Sequence, residues 1–413
     1  MVHNSHGHKS GTNLKSRCVL LSQRMPRPHF TRRDFLALSG ATLATRALPA
    51  QNPTARINVA DAERPRVMAE APRALTAPIT TITSTPGPHA PANTFVSEVE
   101  PERGVSDPHT SSKLFRSHAV ALRNFSVNVA CLAAAYVLTH DEQYALRAGL
   151  HLRAWFVTES TRMLPTGDLA GREYGSETGT PAGVTDFAPL AELVRSTSFL
   201  VDSQALAEDE LDIMNQWFLD FASWLDTNRN ARIARDAKDH RASAWLIIRS
   251  AIARATRKDQ DIEDCRKHFR APTLRNQINE VGVFPQEVAT PNPYRNTLLN
   301  FDLLAGACQL LASPFDLLWD YELPDGPGMR SVAAHLYPVI LHPEKWGYMA
   351  DADHFTELPG PRPALLFAGR AYNRPEYVDL WRKLDAQPVP DNLAEAFPIR
   401  QPLLWTERAA HGL

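Results

Sequence analysis

A histidine beside an acidic residue suggests proton-transfer chemistry. Lys238, Asp239, His240 and Arg241 follow one another just before an apolar helical pattern that contains Trp245. A histidine at a helix entrance, oriented by a neighbouring carboxylate, can shuttle protons near neutral pH. The same residues are also compatible with an Asp that caps the helix beside solvated basic side chains.

A second cluster lies in a proline-rich loop ahead of another apolar helix. Residues 284–296 read FPQEVATPNPYRN. The prolines restrict this loop, so that Tyr294, Arg295 and Asn296 are presented at the helix start, where Tyr can transfer a proton and Arg can bind a carboxylate. The alternative is an ordinary proline-rich helix entry whose Tyr packs against the helix as part of a hydrophobic staple.

A third, weaker cluster extends from Arg162 to Tyr174 and includes Arg172. It is equally typical of a surface loop with solvated charges. Other chemistries lack their minimal residues, because the sequence contains no GxSxG, HExxH, CxxC or GxxxxGK[ST] pattern. The histidines do not occur at the spacing that is typical of metal ligands, so we expect neither a metal ion nor a cofactor.

These candidates lie on or beside predicted helices. Apolar residues recur at helical spacing in residues 116–138, and a second helix runs from Asp141 through Trp155, which predicts a helical hairpin. Strand signals are almost absent. Without a heptad or a fixed repeat, the pattern predicts an all-α domain of packed helical hairpins, closed as an α/α toroid or barrel. Further helices are predicted at residues 186–201, 208–226, 242–255, 297–312, 328–341, 362–372 and 375–383.

The N-terminal residues have the features of an export signal. In residues 31–50 (TRRDFLALSGATLATRALPA), adjacent Arg32 and Arg33 precede a Phe-Leu pair, a short, weakly apolar stretch and small residues that end at Ala50. This order is typical of a twin-arginine signal, although a basic tail or an amphipathic helix would have a similar composition. We expect the twin-arginine export machinery as a partner, cleavage near Ala50, and a periplasmic or secreted product.

The body that remains is acidic. The whole chain has 44 Lys+Arg and 46 Asp+Glu, a net charge of −2; residues 1–50 hold eight basic residues and one acidic residue, so they carry +7 and the rest −9. Such a body has no general basic field for nucleic acid, and no later segment approaches the roughly 18 uninterrupted apolar residues of a membrane span. We therefore expect no nucleic-acid partner and no stable membrane anchor. Residues 51–85 form a Pro-, Ala- and Thr-rich lead-in, and residues 86–413 form one domain.

Four segments occur in an order that is distinctive of one family: residues 124–130 (NFSVNVA), 135–145 (AYVLTHDEQYA), 152–157 (LRAWFV) and 161–165 (TRMLP). Together they resemble the alginate lyase domain family of polysaccharide lyases. The similarity spans roughly residues 85–345. Within it, Asp239 and His240 correspond to the family's Asn-Asn-His helix start, and the loop up to Arg295 corresponds to an acidic turn followed by an Arg- and Tyr-bearing loop.

The resemblance implies an incomplete (α/α) toroid that cleaves an acidic polysaccharide by β-elimination, without metal. The C5 proton of a uronate is only weakly acidic, so donors must neutralise its carboxylate before a base removes that proton, and an acid must then protonate the leaving O4. By analogy, His240 neutralises charge or acts as base, Tyr294 acts as base, acid or both, and Arg295 binds the carboxylate. The substrate-binding candidates are Asp239, Arg241, Asn296, Arg162, Arg172 and Trp245.

The sequence departs from the family pattern at two places. Asp239 stands where the family has an amide, and an ionised carboxylate there would repel a uronate unless it is protonated or only orients His240. The loop spacing also differs, because a gapless match puts Asn296 at the family's tyrosine and Thr290 and Asn292 at its arginines.

Two other functions remain open at this point. A glycoside hydrolase on the same toroid could use Asp239 and Glu287 as its carboxylate pair. A noncatalytic periplasmic carbohydrate-binding protein could stack sugars on Tyr174, Trp245 and Tyr294.

Overall fold

Helices account for most of the described residues, which in this computed structural model are 57–100, 114–351, 355–356, 358–385, 387, 389 and 391–409. The predicted export signal at residues 1–50, with the first residues of the lead-in, lies outside this part. The two strands are β1 (Val96–Val99) and β2 (Leu169–Glu173). The α-helices are α1 (Val59–Thr76), α2 (Ser117–Thr139), α3 (Glu142–Leu152), α4 (Pro189–Thr197), α5 (Glu208–Thr227), α6 (Arg229–Arg235), α7 (His240–Ala255), α8 (Asp259–His268), α9 (Leu274–Gln277), α10 (Pro293–Leu311), α11 (Met329–Leu341), α12 (Pro363–Ala371), α13 (Pro375–Asp385) and α14 (Pro402–Thr406).

The predicted hairpin of α2 and α3 is confirmed. The chain turns at His140, which has a φ of 55°, and Asp141 then caps α3 by accepting a hydrogen bond of 3.0 Å from the backbone N–H of Gln143. By length and composition α2 could cross a membrane, but 61% of its most apolar window is buried inside the protein. Cys131 on α2 is likewise buried, as are Cys265 and Cys308, and none of these three forms a disulfide.

The Pro-, Ala- and Thr-rich lead-in contains a helix, α1, which the sequence analysis did not predict. Helix α1 buries Val59, Val67, Ala71 and Ala74 along one stripe. This stripe is hard to recognise in the sequence because it contains small alanines and the buried Glu63, and because the helix has two internal prolines. Tertiary contacts stabilise the helix: α1 packs on α2, and Arg66 bridges Glu63 and Asp385 on α13.

Helices α2, α4, α7 and α10 pack side by side in this order. Their N-terminal ends meet at one end of the helical assembly. Arg116, just before α2, lies 2.7 Å from Asp186, just before α4. Glu287 contacts both His240, the first residue of α7, and Asn300 on α10. Arg295, in the first turn of α10, shares Glu395 with Arg116, so it lies at the same end. We call this end, defined by Arg116, Asp186, His240 and Arg295, the N-terminal rim.

The small sheet supports the rim. Strands β1 and β2 pair in parallel, and Ser97 on β1 donates a hydrogen bond of 2.5 Å to Asp186. Gly171 on β2 has a φ of 61°, and a Cβ there would lie 2.4 Å from the backbone nitrogen of Gly183, so only glycine fits this close approach. The sheet therefore fixes the loop that leads to Asp186.

The C-terminal residues, in which the sequence shows nothing specific, fill the space between the helices. Buried Glu192 on α4 accepts hydrogen bonds from the backbone N–H groups of Arg400 and Gln401 and from the Trp405 indole. Residues 396–405 also contact α1, α10 and α12 through Gln401, Trp405 and Ala396. We call residues 391–406 the central segment, because it joins four helices of the assembly.

Candidate active site

His240 and Glu287 form the best-defined pair at the N-terminal rim. His240 is the first residue of α7, and its side chain is 20% exposed, whereas Glu287 is fully buried. The Nδ1 of His240 lies 3.0 Å from one Glu287 carboxylate oxygen and 3.2 Å from the other, and the backbone N–H of His240 donates to the same carboxylate at 2.5 Å. Because Glu287 accepts from Nδ1, the Nε2 of His240 is the nitrogen left for proton transfer.

A buried polar network holds Glu287 in place. Asn300 on α10 donates from Nδ2 to Glu287 at 3.0 Å and to the side-chain oxygen Oε1 of Gln277 at 2.8 Å. The hydroxyl of Ser243, one turn after His240, donates to the same Gln277 oxygen at 3.1 Å. These buried hydrogen bonds fix side-chain orientation, although Gln277 Nε2 and Asn300 Oδ1 have no partner within the described part of the protein. The network thus sets the direction of the His240 ring from α7, α9 and α10 together.

The electrostatics of His240 suit a base that also returns a proton. Desolvation opposes its protonation, but the Glu287 carboxylate, with a smaller contribution from Asp239, raises the pKa of His240 above the ordinary histidine value. A histidine whose pKa is raised can take a proton and donate it again within one reaction.

Asp239 binds Arg241 rather than orienting the histidine ring. As the N-cap of α7 it accepts from the Arg241 backbone N–H at 3.0 Å, and it pairs with the guanidinium at 2.7 Å. Desolvation favours the neutral form, yet the hydrogen bonds from Arg241 lower the pKa of Asp239, so its carboxylate is charged at neutral pH. The protonated Asp239 considered from the sequence is therefore not supported, and the orienting role belongs to Glu287.

Three arginines gather around one carboxylate at the rim. Glu395, in the central segment, lies 2.8 Å from Arg116, 3.5 Å from Arg123 and 3.6 Å from Arg295. Desolvation opposes its ionisation, yet the arginines together lower the pKa of Glu395. Its side chain is 43% exposed, so solvent reaches the cluster. We call Arg116, Arg123 and Arg295 the arginine cluster; it is an anion-binding group already occupied by a carboxylate.

Tyr294 is a core residue, which argues against its predicted role in proton transfer. Its side chain has 0% exposure and packs against Trp346 and Phe355, and its hydroxyl donates only to the Val339 carbonyl oxygen, at 3.4 Å. Burial raises the pKa of Tyr294 above the ordinary tyrosine value. The loop prolines do present residues at the start of α10, but the tyrosine points into the protein, as in the staple alternative.

The other predicted substrate-binding residues do not converge on His240. Arg172 is buried on β2 and bound to Glu98 at 2.8 Å. Trp245 is buried, and its indole donates to the Leu225 carbonyl oxygen at 3.2 Å. Both were predicted to bind substrate, and their burial argues against that role. Arg162 lies in a turn closed by its backbone N–H, which donates to the Thr158 carbonyl oxygen.

Asn296 lies one turn before Asn300 on α10, and its amide donates to the Thr290 hydroxyl at 3.1 Å. It therefore stays a candidate for substrate binding. Sequence reasoning did not assign roles to Arg116, Arg123 and Glu395. Glu287 could have been recognised from the sequence, because it is the only acidic residue of the 284–296 loop. Glu395 could not, because only the folding of the central segment brings it to the rim.

The fold and the rim define the class of protein: an all-α toroid with a histidine–carboxylate pair and an anion-binding arginine cluster at one end. The family model described as alginate lyase matches residues 81–346. The chain belongs to the alginate lyase family and is a polysaccharide lyase. No curated protein matches the chain.

Solved structures of alginate lyases are similar to the chain. An alginate lyase from Bacteroides ovatus is similar to the chain with a TM-score of 0.69 and 21% identity, over 84% of this chain and 94% of that one. Alginate lyase A1-III from Sphingomonas species A1 gives a TM-score of 0.48 and 14% identity, over 78% of this chain and 88% of that one. The first likeness shows the shared helical toroid, so the predicted fold class is confirmed.

Proposed function

We propose that the protein cleaves a uronate-containing polysaccharide, alginate or a related polymer, by β-elimination, with His240 as the base. One observation carries this proposal: the His240–Glu287 pair and the arginine cluster lie at the same end of the helical assembly. β-Elimination needs both a base at C5 and positive charge at the uronate carboxylate.

The reaction follows from these positions. The arginine cluster binds the substrate carboxylate in place of Glu395 and withdraws charge from C5. Neutral His240 takes the C5 proton through Nε2, the electrons of that C–H bond form the C4=C5 double bond, and the C4–O4 bond breaks. The imidazolium, stabilised by Glu287, then returns the proton to O4. The products are an unsaturated uronate and a new hydroxyl end, and no metal or redox partner takes part in this scheme.

The alternatives fit the geometry less well. A hydrolase pair of Asp239 and Glu287 would need one carboxylate free to protonate the leaving group. Asp239 is paired with Arg241, and Glu287 is fully buried against His240. For a binding protein that stacks sugars, two of the three nominated aromatics, Trp245 and Tyr294, are buried.

A panel of uronate polymers tests the proposal through the ultraviolet absorbance of the unsaturated product. We expect absorbance to rise with at least one polymer, and His240→Ala to abolish the rise. His342→Ala is the matched control, because His342 forms an exposed pair with Glu344 at 3.2 Å. Reducing ends that appear without ultraviolet absorbance would instead indicate hydrolysis. Absorbance that stays flat on every polymer would refute the proposal.

We also propose that residues 1–50 direct export by the twin-arginine machinery and that the product is periplasmic or secreted. The order of Arg32, Arg33, the apolar stretch and the small residues before Ala50 supports this. Replacing Arg32 and Arg33 with Lys should leave the protein in the cytoplasm, and N-terminal sequencing of the exported protein should begin near residue 51. Unchanged export of the lysine variant would contradict the proposal.

A further inference from the structure

Two arginines line a small cavity at the opposite end of the helical assembly from the N-terminal rim. Arg195 lies in the last turn of α4 and Arg254 in the last turn of α7, and the cavity has a volume of about 150 Å³. Arg254 comes 14 residues after His240 on the same helix. At about 1.5 Å of rise per residue, the two positions are about 21 Å apart along α7. We call this space the C-terminal cavity; it is separate from the candidate active site.

Backbone carbonyl groups hold one edge of each guanidinium. Arg195 donates from Nε to the Leu404 carbonyl oxygen at 2.9 Å and from Nη2 to the Glu407 carbonyl oxygen at 2.7 Å. Arg254 donates from the same two nitrogens to carbonyl oxygens at the end of α10. These bonds satisfy helix ends, where a cation is favourable. They also fix both guanidiniums in place, so little side-chain freedom remains to be lost when a ligand binds.

The capping bonds leave Nη1 of both guanidiniums available. Among the described residues, Nη1 of Arg195 and of Arg254 donates no hydrogen bond, and no carboxylate forms an ion pair with either side chain. Desolvation and then the charge of Arg254 lower the pKa of Arg195 to about 10, and desolvation and then Arg266 lower that of Arg254 to about 10. Both stay charged at neutral pH. Neighbouring cations without a counterion are typical of a place that an anion occupies.

The lining of the C-terminal cavity is positive, although the body of the protein is acidic. Arg408 adds a third, exposed guanidinium, and the one carboxylate of the lining is that of Glu407. This leaves a formal charge of +2. The charge of Glu407 also acts on Arg370, which does not line the cavity. The volume is below the roughly 300–1,000 Å³ of sites for larger organic ligands, which favours a small inorganic anion over an oligosaccharide.

We propose that the C-terminal cavity binds a small tetrahedral oxyanion of the phosphate or sulfate class. Nη1 of Arg195 and Nη1 of Arg254 donate to its oxygens, and Arg408 covers its exposed side. The bound anion connects α4 and α7 with the residues at and after the end of the central segment, so it stabilises this end of the assembly. The proposal does not depend on the proposed lyase function or on the identity of the polysaccharide.

Thermal unfolding and calorimetry of the full-length protein test the site with inorganic phosphate and with sulfate. Chloride at matched ionic strength is the reference salt. An anion that binds only the folded protein raises Tm once its concentration exceeds Kd. We expect phosphate, sulfate or both to raise Tm by several degrees more than chloride does, and the two titrations show which oxyanion the cavity prefers.

Four variants test whether the anion binds in this cavity. Glu407→Gln removes the one carboxylate of the lining and should strengthen binding by about threefold, a gain that damage to the fold cannot imitate. Arg408→Gln removes an exposed cation and should weaken binding by about threefold. Arg254→Gln removes one of the two fixed donors and should weaken binding by about tenfold or more. Arg229→Gln, an exposed helical arginine outside the lining, is the matched control and should change nothing.

The outcomes decide for or against the site whether or not the protein cleaves a uronate polymer. Stabilisation by an oxyanion beyond that of chloride, with tighter binding in Glu407→Gln and weaker binding in Arg408→Gln, supports it. Equal effects of the three salts overturn it, because ionic strength alone would then act. Unchanged binding in Glu407→Gln and Arg408→Gln also overturns it, because the anion would then bind elsewhere, and these two variants decide the question even if Arg254→Gln does not fold.

Discussion

Glu287→Gln removes the charge beside His240 but keeps the shape of the side chain. The buried carboxylate accepts from three donors: the His240 backbone N–H, the His240 Nδ1–H and the Asn300 amide. A glutamine has one acceptor oxygen and an NH₂ group, so it places a donor against at least one of these donors. We expect the free energy of unfolding to fall by about 1–3 kcal/mol, measured by urea denaturation.

The same substitution shifts the pH dependence in a defined direction. Glu287 raises the pKa of His240, so its removal lowers that pKa. A charge-assisted hydrogen bond contributes about 1.5–3 kcal/mol and a neutral one about 1, and the difference corresponds to about one pKa unit. The base works in its neutral form, and activity is lost as the pH falls through its pKa. The acid limb of kcat/KM therefore moves about one unit lower, and the plateau falls about tenfold or more because the base is weaker.

The assay is initial rate against pH on the polymer that wild-type protein cleaves best. Glu280→Gln is the matched control, since Glu280 is exposed in the same connection between α9 and α10. The reasoning fails if the acid limb of Glu287→Gln stays in place or moves to higher pH, or if its plateau equals that of the control.

Three further outcomes follow from the same contacts. Tyr294→Phe should keep kcat within about twofold of wild type, since the hydroxyl makes only a 3.4 Å bond to Val339, whose loss costs at most about 1 kcal/mol; loss of turnover would restore its catalytic role. Glu395→Gln should lower KM several-fold because it removes the carboxylate that competes for the arginine cluster, and a raised KM would show that Glu395 assists binding. Asp302→Asn should cost about 3–5 kcal/mol in chemical denaturation, because Arg362 is fully buried 2.6 Å from Asp302; a loss below about 1 kcal/mol would contradict this.

The helices were predictable because their signal is local. Apolar periodicity placed α2, α5, α7, α10, α11 and α13 within a few residues of their bounds. Helix α1 was missed because its buried stripe includes two alanines and a glutamate, and because Asp385, an ion-pair partner of its Arg66, is more than 300 residues away. Periodicity detects the apolar face of a helix. It does not detect a buried charged residue that ion pairs stabilise.

The candidate site could be predicted only in part, because contacts between distant residues are not visible in the sequence. His240 could be nominated because a histidine at a helix start is visible in the sequence. Tyr294 was misjudged because the sequence places it in a loop but does not say which way a residue of the first turn points. Arg116 and Arg123 were overlooked since they precede or lie within an apolar helix, and only the fold brings them to Arg295.

The central segment has a consequence for how the chain is made. Residues 391–406 come after every other described helix in the sequence, yet they supply the three donors of the buried Glu192 carboxylate. Until residues 391–406 leave the ribosome, the earlier helices lack the segment that packs between them. The Glu192 carboxylate then also lacks its three described hydrogen-bond donors. Since synthesis proceeds at about 5–20 residues per second, the nascent protein stays incompletely packed for many seconds. We expect the helices to complete their packing only after residues 391–406 have left the ribosome.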